Sequence, residues 1–161
     1  MGLEPGEEVR FGDPTRLAYW RSSMKPFQAL PLVDDGAAEA LGLDDEEIAV
    51  CCASHVGTPA HLETVTAILD RLALDESALV CGPHAPFDSG AAHAVLRSGH
   101  AYTALHNNCS GKHAGMLAVA HHAGWPTDGY AEPDHPVQER IREGLARWLD
   151  VDPEGLGWAT D

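Results

Sequence analysis

Two lysines stand three residues after a side chain that can act as a nucleophile or a metal ligand. Lys25 follows Ser22 at this spacing, and Lys112 follows Cys109. They are the only lysines among ten basic residues, and the other eight are arginines. Burial can lower the pKa of a lysine enough to make its amine a base, whereas arginine stays charged. We therefore interpret both lysines as residues kept for chemistry.

The Ser-x-x-Lys spacing suits a serine nucleophile with a lysine base. Residues i and i+3 share one face of a helix, so the amine of Lys25 can lie beside the Ser22 oxygen and take its proton. Backbone N–H groups at the helix N-terminus would face a developing oxyanion. A pattern with only two fixed positions also arises by chance, and the alternative interpretation is an ordinary helix start with Ser22 as its cap.

The densest polar stretch is residues 106–113, with the sequence HNNCSGKH. Such a turn leading into a helix is typical of an exposed site. Cys109 could bind zinc together with His106 or His113, but two or three ligands do not complete a zinc site. The alternative is an Asn-rich turn in which Ser110 caps the following helix.

Ser54 and His55 follow a short apolar run and suggest a serine–histidine dyad. Adjacent residues do not easily adopt the side-chain geometry that a dyad requires. Ser54 is therefore interpreted as a second polar group of the site. The remaining histidines are expected on the surface or as hydrogen-bonded core residues, including His84, His93 and the pair at 121–122.

Composition narrows the function classes. The chain has 161 residues, 44% of them hydrophobic, which suits a single packed domain. Its net charge of −15 disfavours nucleic acid and anionic membrane surfaces as partners. No run of about 18 apolar residues predicts a membrane span, and residues 1–9 do not resemble a signal peptide. We expect a cytoplasmic protein whose four cysteines are free thiols.

Hydrophobic spacing predicts a mostly helical chain in which residues 1–19 are hard to assign. The run at 48–53 is either a buried strand or the end of a helix begun at Asp44. Pro31 should kink or end the helix that starts near Ser22, and Asp134 should cap the last helix. The segment 36–43 is predicted to be a short helix or a turn. The other predicted helices are 59–74, 89–97 and 110–122, with Gly124 ending the last of these.

Several motifs together resemble the type II asparaginases of the rhizobial, heat-labile kind. They are RSSMKPFQ at 21–28, CASH at 52–55, CGPH at 81–84, HNNCSGKHAG at 106–115 and DHPVQ at 134–138. The resemblance extends over about residues 9–161. It implies an α+β fold like that of the serine β-lactamases and penicillin-binding proteins, of which this chain would be a helix-rich N-terminal portion.

The resemblance also implies an activity and a site. The family hydrolyses L-asparagine to L-aspartate and ammonia. By resemblance, Ser22 is the nucleophile, Lys25 is its base and Ser54 is a second active-site serine. Cys109 and Lys112 match two ligands of a zinc site. Substrate or zinc contacts are implied for Arg21, Asn108, His113 and Asp161.

Two departures from the family pattern affect these expectations. Family chains are about twice as long, and they supply a third cysteine ligand and a second lysine beyond the stretch that matches residues 157–161. We therefore expect a single incomplete domain over 1–161, with the C-terminal half absent, a truncation that can impair activity. Residues 55–58 read HVGT where the family pattern has a more polar sequence.

A homodimer is expected only by analogy with the family.

Three other interpretations remain open at this point. A β-lactamase-like serine acylase would use the same Ser-x-x-Lys pair. A non-catalytic helical module could bind zinc through Cys109, Lys112 and histidines. The chain could also be an inactive remnant of a longer enzyme.

Overall fold

The computed structural model of the chain describes residues 12–13, 16 and 19–157. Within these residues the chain forms eight α-helices and four short 3-10 turns. The helices are α1 Lys25–Gln28, α2 Leu30–Asp34, α3 Ala37–Leu41, α4 Asp45–Cys51, α5 Pro59–Arg71, α6 Ser89–Arg97, α7 Ser110–Ala123 and α8 Pro136–Leu149. The 3-10 turns are Arg21–Met24, Glu76–Ala78, Ala104–His106 and Pro153–Gly155. The predicted helix-rich chain is confirmed, whereas the described residues form no strand of an α+β fold.

Helix α7 is the centre of the fold. It contacts α1, α2, α3, α4, α5 and α8. Every residue from 113 to 120 is buried, and most of them are small or apolar. A helix that is apolar on all sides is stable only when neighbours surround it, which explains its central position.

Two glycines allow α7 to lie directly against α4. A Cβ atom at Gly111 would stand 2.2 Å from the carbonyl oxygen of Val50. A Cβ atom at Gly115 would stand 3.0 Å from Cβ of Cys51. The backbones therefore approach more closely than any side chain would permit at position 111. This contact sets the end of α4, and the chain reaches Ser54 three residues after that helix ends.

A helix cap and several ion pairs connect the helices that surround α7. Asp44 and Glu47 form a reciprocal capping box at the start of α4. The buried Glu47 carboxylate also accepts two hydrogen bonds from the guanidinium of Arg71 at the end of α5, both 3.2 Å long. At the other side of α7, Arg140 and Arg147 of α8 pair with Asp35 and Asp34, respectively. Glu47 thus connects the start of α4 to the end of α5.

Several predicted elements are confirmed. Residues 48–51 of the run at 48–53 form the end of the helix begun after Asp44, so the strand alternative is wrong. Helix α6 has the predicted bounds, and α7 ends before Gly124, whose φ of +70° places it in the left-handed region. The first helical stretch is interrupted at Ala29. Helix α2 begins at the next residue and has Pro31 in its first turn.

Two predicted caps and one boundary are wrong. The residue that precedes α7 is Cys109, and the side chain of Ser110 makes contacts outside its own helix. The cap of α8 is His135 rather than Asp134, since the ring nitrogen of His135 accepts from the Val137 amide. Helix α5 ends at Arg71 instead of continuing to Leu74. Most of the hard-to-assign region 1–19 lies outside the described residues.

Candidate active site around Lys25

The amine of Lys25 is the buried polar centre of the region. The residue is only 2% exposed, although a lysine is almost never fully buried unless it has partners. Its Nζ atom donates to Oγ of Ser54 at 2.7 Å and to the carbonyl oxygen of Asn108 at 3.1 Å. The structure therefore joins three predicted site residues that are distant in sequence.

Ser22 is exposed, as Ser54 is, but its hydroxyl has different surroundings. Ser22 belongs to the 3-10 turn Arg21–Met24, not to a regular α-helix. Its hydroxyl makes no hydrogen bond to another described residue, and the described bonds of Lys25 Nζ go elsewhere. The preceding residue, Arg21, has a φ of +48°. A non-glycine residue in the left-handed region stores strain of about 1–2 kcal/mol, which is common next to functional groups.

Ser54 is carried by a loop, residues 54–58, that we call the Ser54 loop. Gly57 makes the turn possible because its φ is +77°. A Cβ atom there would stand 2.9 Å from Cβ of Pro86, so only glycine fits. The carbonyl oxygen of Val56 accepts from the Asp88 amide at 2.8 Å. The loop is thereby fixed to the segment that precedes α6.

His55 ties the Ser54 loop to the start of α7. Its Nε2 atom lies 2.8 Å from Oγ of Ser110, and its Nδ1 atom accepts from the Gly57 amide at 3.1 Å. Its own amide donates to the Asn108 carbonyl oxygen at 3.3 Å, the same oxygen that accepts from Lys25. His55 thus contacts Ser110 and not the hydroxyl of Ser54, so no Ser54–His55 dyad forms.

The environment of His55 keeps its imidazole neutral. Burial, together with the neighbouring His61 and Lys25, lowers the pKa of His55 to about 4. The ring stacks on that of His61 with centroids 5.2 Å apart. Nδ1 of His61 in turn lies 2.6 Å from the hydroxyl of Thr58. Both histidines therefore support the loop.

Asn107 organises the turn before α7. Its amide nitrogen donates to the carbonyl oxygens of Cys81 at 2.8 Å and Gly82 at 3.1 Å. Its carbonyl oxygen accepts from the Cys109 amide at 2.9 Å. These bonds fix the backbone on both sides of Asn108, whose carbonyl oxygen faces Lys25. The sequence interpretation assigned no role to Asn107, and the only signal was its position in an Asn-rich turn.

His113, a predicted substrate contact, is 8% exposed and held by Tyr130. Its Nδ1 atom lies 2.7 Å from the Tyr130 hydroxyl, which also accepts from the Val80 amide at 3.1 Å. Burial lowers the pKa of His113 to about 3, with Lys112 and Lys25 adding to the effect. The pKa of Tyr130 is raised, mainly by burial. Both groups are neutral at neutral pH.

The predicted zinc ligands Cys109 and Lys112 lie half-buried at the start of α7. Burial raises the pKa of the neighbouring Cys81 thiol to about 11; Cys109 raises it further, while Lys112 lowers it. Across residues 12–13, 16 and 19–157, no three His, Cys, Asp or Glu side chains come together as metal ligands. A thiol and an amine alone do not fit the four-coordinate set of a zinc site. Zinc binding stays a prediction.

The remaining predictions have different outcomes. Asp161 lies outside the described residues, so its predicted contact with substrate or zinc is not placed. His84, His93 and the pair at 121–122 are exposed, as expected for histidines without a site role. No helix in the described part of the chain is long and apolar enough to cross a bilayer.

Comparison with known proteins identifies the family of the chain. No curated protein matches the chain. The family model for L-asparaginase II matches residues 6–161, which is nearly the whole sequence. The matched region includes Ser22, Ser54, the two lysines and the turn before α7. The chain belongs to the L-asparaginase II family.

Proposed function

We propose that this chain acts as an amidohydrolase that converts L-asparagine to L-aspartate and ammonia. The observation that carries the proposal is the buried amine of Lys25, shared between the Ser54 hydroxyl and the Asn108 carbonyl oxygen. A buried lysine is a suitable general base, because desolvation favours its neutral form. Membership of the L-asparaginase II family supports the substrate class.

Ser22 is the proposed nucleophile. Its exposed hydroxyl would attack the side-chain amide carbon of asparagine while Lys25 accepts the hydroxyl proton. The resulting ammonium is stabilised by its two acceptors, Ser54 Oγ and the Asn108 carbonyl oxygen. The proton then passes to the departing nitrogen and ammonia leaves. Water hydrolyses the ester on Ser22 in the reverse sense, which releases aspartate and restores the serine.

A second assignment exchanges the two serines. The Ser54 hydroxyl lies 2.7 Å from Lys25 Nζ, whereas the Ser22 hydroxyl makes no hydrogen bond to another described residue. A nucleophile within hydrogen-bond reach of its base is the usual geometry for activation. Serine hydroxyls can also reach their base only when substrate is bound, so this geometry does not eliminate Ser22. The β-lactamase-like fold and the zinc ligands Cys109 and Lys112 belong to the same proposal, but no step above uses a metal.

Ammonia release from L-asparagine tests the function and the assignment together. The variants are Ser22→Ala and Ser54→Ala, with Ser89→Ala as the control because Ser89 is exposed on α6 and distant in sequence from the site. Loss of the nucleophile should lower kcat by about 10⁴-fold or more, since other groups still bind and polarise substrate. Loss of a supporting serine should lower it by about 10²-fold. Unchanged ammonia release in both variants would reject the serine mechanism.

A further inference from the structure

His55 makes a chain of hydrogen bonds in which every proton can be assigned. The Gly57 amide can only donate, so Nδ1 of His55 is an unprotonated acceptor. A neutral imidazole then carries its proton on Nε2. The Ser110 hydroxyl donates its own proton to the Leu105 carbonyl oxygen at 3.1 Å, and its oxygen accepts from Nε2 of His55 at 2.8 Å.

This chain of bonds ends at the backbone that faces Lys25. The His55 amide and Lys25 Nζ donate to the same Asn108 carbonyl oxygen. Ser54 precedes His55 directly, so the position of the His55 ring and backbone also sets that of the Ser54 hydroxyl. The ring is 4% exposed and cannot contact substrate without a rearrangement of the loop.

We propose that His55 is a positioning residue, whose neutral Nε2–H imidazole holds the Ser54 loop against α7 and keeps the Ser54 hydroxyl on the amine of Lys25. Its effect passes through Ser54 and Lys25 and not through contact with substrate. The catalytic consequence rests on the proposed function, whereas the structural consequence does not. The charged or titratable groups that act on the ring are His61, stacked on it, and Lys25.

The first test is made on the original chain and uses a variant only to assign one signal. Nitrogen-15 spectra of the histidine rings distinguish a protonated from an unprotonated ring nitrogen, and the His55 signal is the one that disappears in His55→Gln. We expect a neutral ring with the proton on Nε2 throughout the neutral pH range. A ring protonated on Nδ1, or on both nitrogens at neutral pH, would overturn the proposal.

The second test uses the two lysines as probes. Protein labelled with carbon-13 at lysine Cε gives two signals, and Lys112→Arg identifies which belongs to Lys25. His55→Leu removes both ring hydrogen bonds, whereas His55→Gln can keep the donor to Ser110. We expect the Lys25 signal to shift in the leucine variant and to return toward the original position in the glutamine variant. The exposed His93→Gln serves as the control.

The outcomes separate a positioning role from simple packing and from failure of the proposed function. A Lys25 signal unchanged in a folded His55→Leu variant would overturn the proposal, whatever the activity. With active protein, the leucine variant should lose about tenfold or more in kcat with little change in KM. A change confined to KM would also overturn it. If the original chain releases no ammonia, the function fails while both spectra still decide the role of His55.

Discussion

The two serines of the site differ in how firmly hydrogen bonds hold their surroundings. Ser22 is exposed on a 3-10 turn whose neighbouring residue, Arg21, has strained backbone geometry. Ser54 lies in a loop that hydrogen bonds attach to α7 and to the segment before α6, and its hydroxyl accepts from a buried amine. Both serines are exposed, but only the Ser54 hydroxyl is held by a hydrogen bond to another described side chain. The difference suggests a division of roles, with a reactive hydroxyl at Ser22 and a fixed proton-handling pair at Ser54 and Lys25.

Apart from loss of the nucleophile, the largest effect should follow from removing the amine of Lys25. Lys25→Met keeps the length of the side chain but leaves the Ser54 hydroxyl and the Asn108 carbonyl oxygen without their donor. General base catalysis contributes about 10²–10⁴-fold, so kcat/KM for asparagine should fall by about 10³-fold. Steady-state ammonia release measures this value.

Lys25→Arg provides the matched comparison for this prediction. Arginine keeps a positive charge and hydrogen-bond donors but cannot become a neutral base. If Lys25 acts as the base, the arginine variant should be as inactive as the methionine variant. Substantial activity in the arginine variant would mean that the charge, and not the proton transfer, is the contribution of Lys25.

The next largest effect concerns the packing that supports the Ser54 loop. Gly111→Ala would force α7 away from α4, because the new Cβ atom would stand 2.2 Å from the Val50 carbonyl oxygen. Overpacking of this kind costs about 1–3 kcal/mol of the free energy of unfolding, which urea denaturation measures.

Two other glycines make this packing test specific. Gly115→Ala should cost less, since its nearest contacts are the Cys51 side-chain atoms and not backbone. Gly155→Ala is the control, because a Cβ atom added there would have no heavy atom within 4 Å apart from its own residue and the two chain neighbours. Equal losses at 111 and 155 would contradict the close contact of α4 with α7.

Part of this organisation could be predicted from the sequence alone. The bounds of α6 and the end of α7 at Gly124 follow from local signals, namely hydrophobic spacing and a glycine that ends a helix. The rarity of lysine directed attention to Lys25, which the structure buries with two described acceptors. Local rules succeed here because residues close in sequence determine where these helices begin and end.

The contacts of the site follow from tertiary structure and were not predicted. Spacing of i and i+3 placed the Lys25 amine beside Ser22, yet its side-chain bond is to Ser54, 29 residues away. The side-chain partner of His55 is Ser110, 55 residues away. The cap of α8 is His135, whereas the sequence predicted Asp134. Such partners depend on how helices pack, which no local pattern in one sequence specifies.

Acid should weaken the supported region through its neutral histidines. The pKa values of His55 and His113 in the folded chain are about 4 and about 3, below the ordinary value of 6.5 that the unfolded chain retains. The unfolded state therefore binds more protons at any pH between these values and 6.5. Stability is fully present above 6.5 and falls as the pH is lowered from 6.5 toward 4.

Urea unfolding midpoints measured from about pH 7 to about pH 5 test this dependence, because the folded chain resists protonation over that range. His55→Gln should make the midpoint less sensitive to pH, since one of the two neutral rings is removed. His93→Gln should leave the pH dependence unchanged, because His93 is exposed. A midpoint independent of pH in the original chain would mean that neither ring is held neutral by the fold.

The smallest effect separates the two serines without reference to catalysis. Ser54→Ala removes an acceptor from a buried amine, and a hydrogen bond of this kind contributes about 1 kcal/mol or somewhat more to the free energy of unfolding. Ser22→Ala should change that free energy by less than about 0.5 kcal/mol, because its exposed hydroxyl makes no hydrogen bond to another described residue. Urea denaturation of both variants measures the difference. If the two variants lost equal stability, the Ser22 hydroxyl would be held as firmly as that of Ser54. The contrast in hydrogen bonding between the two serines would then not hold in solution.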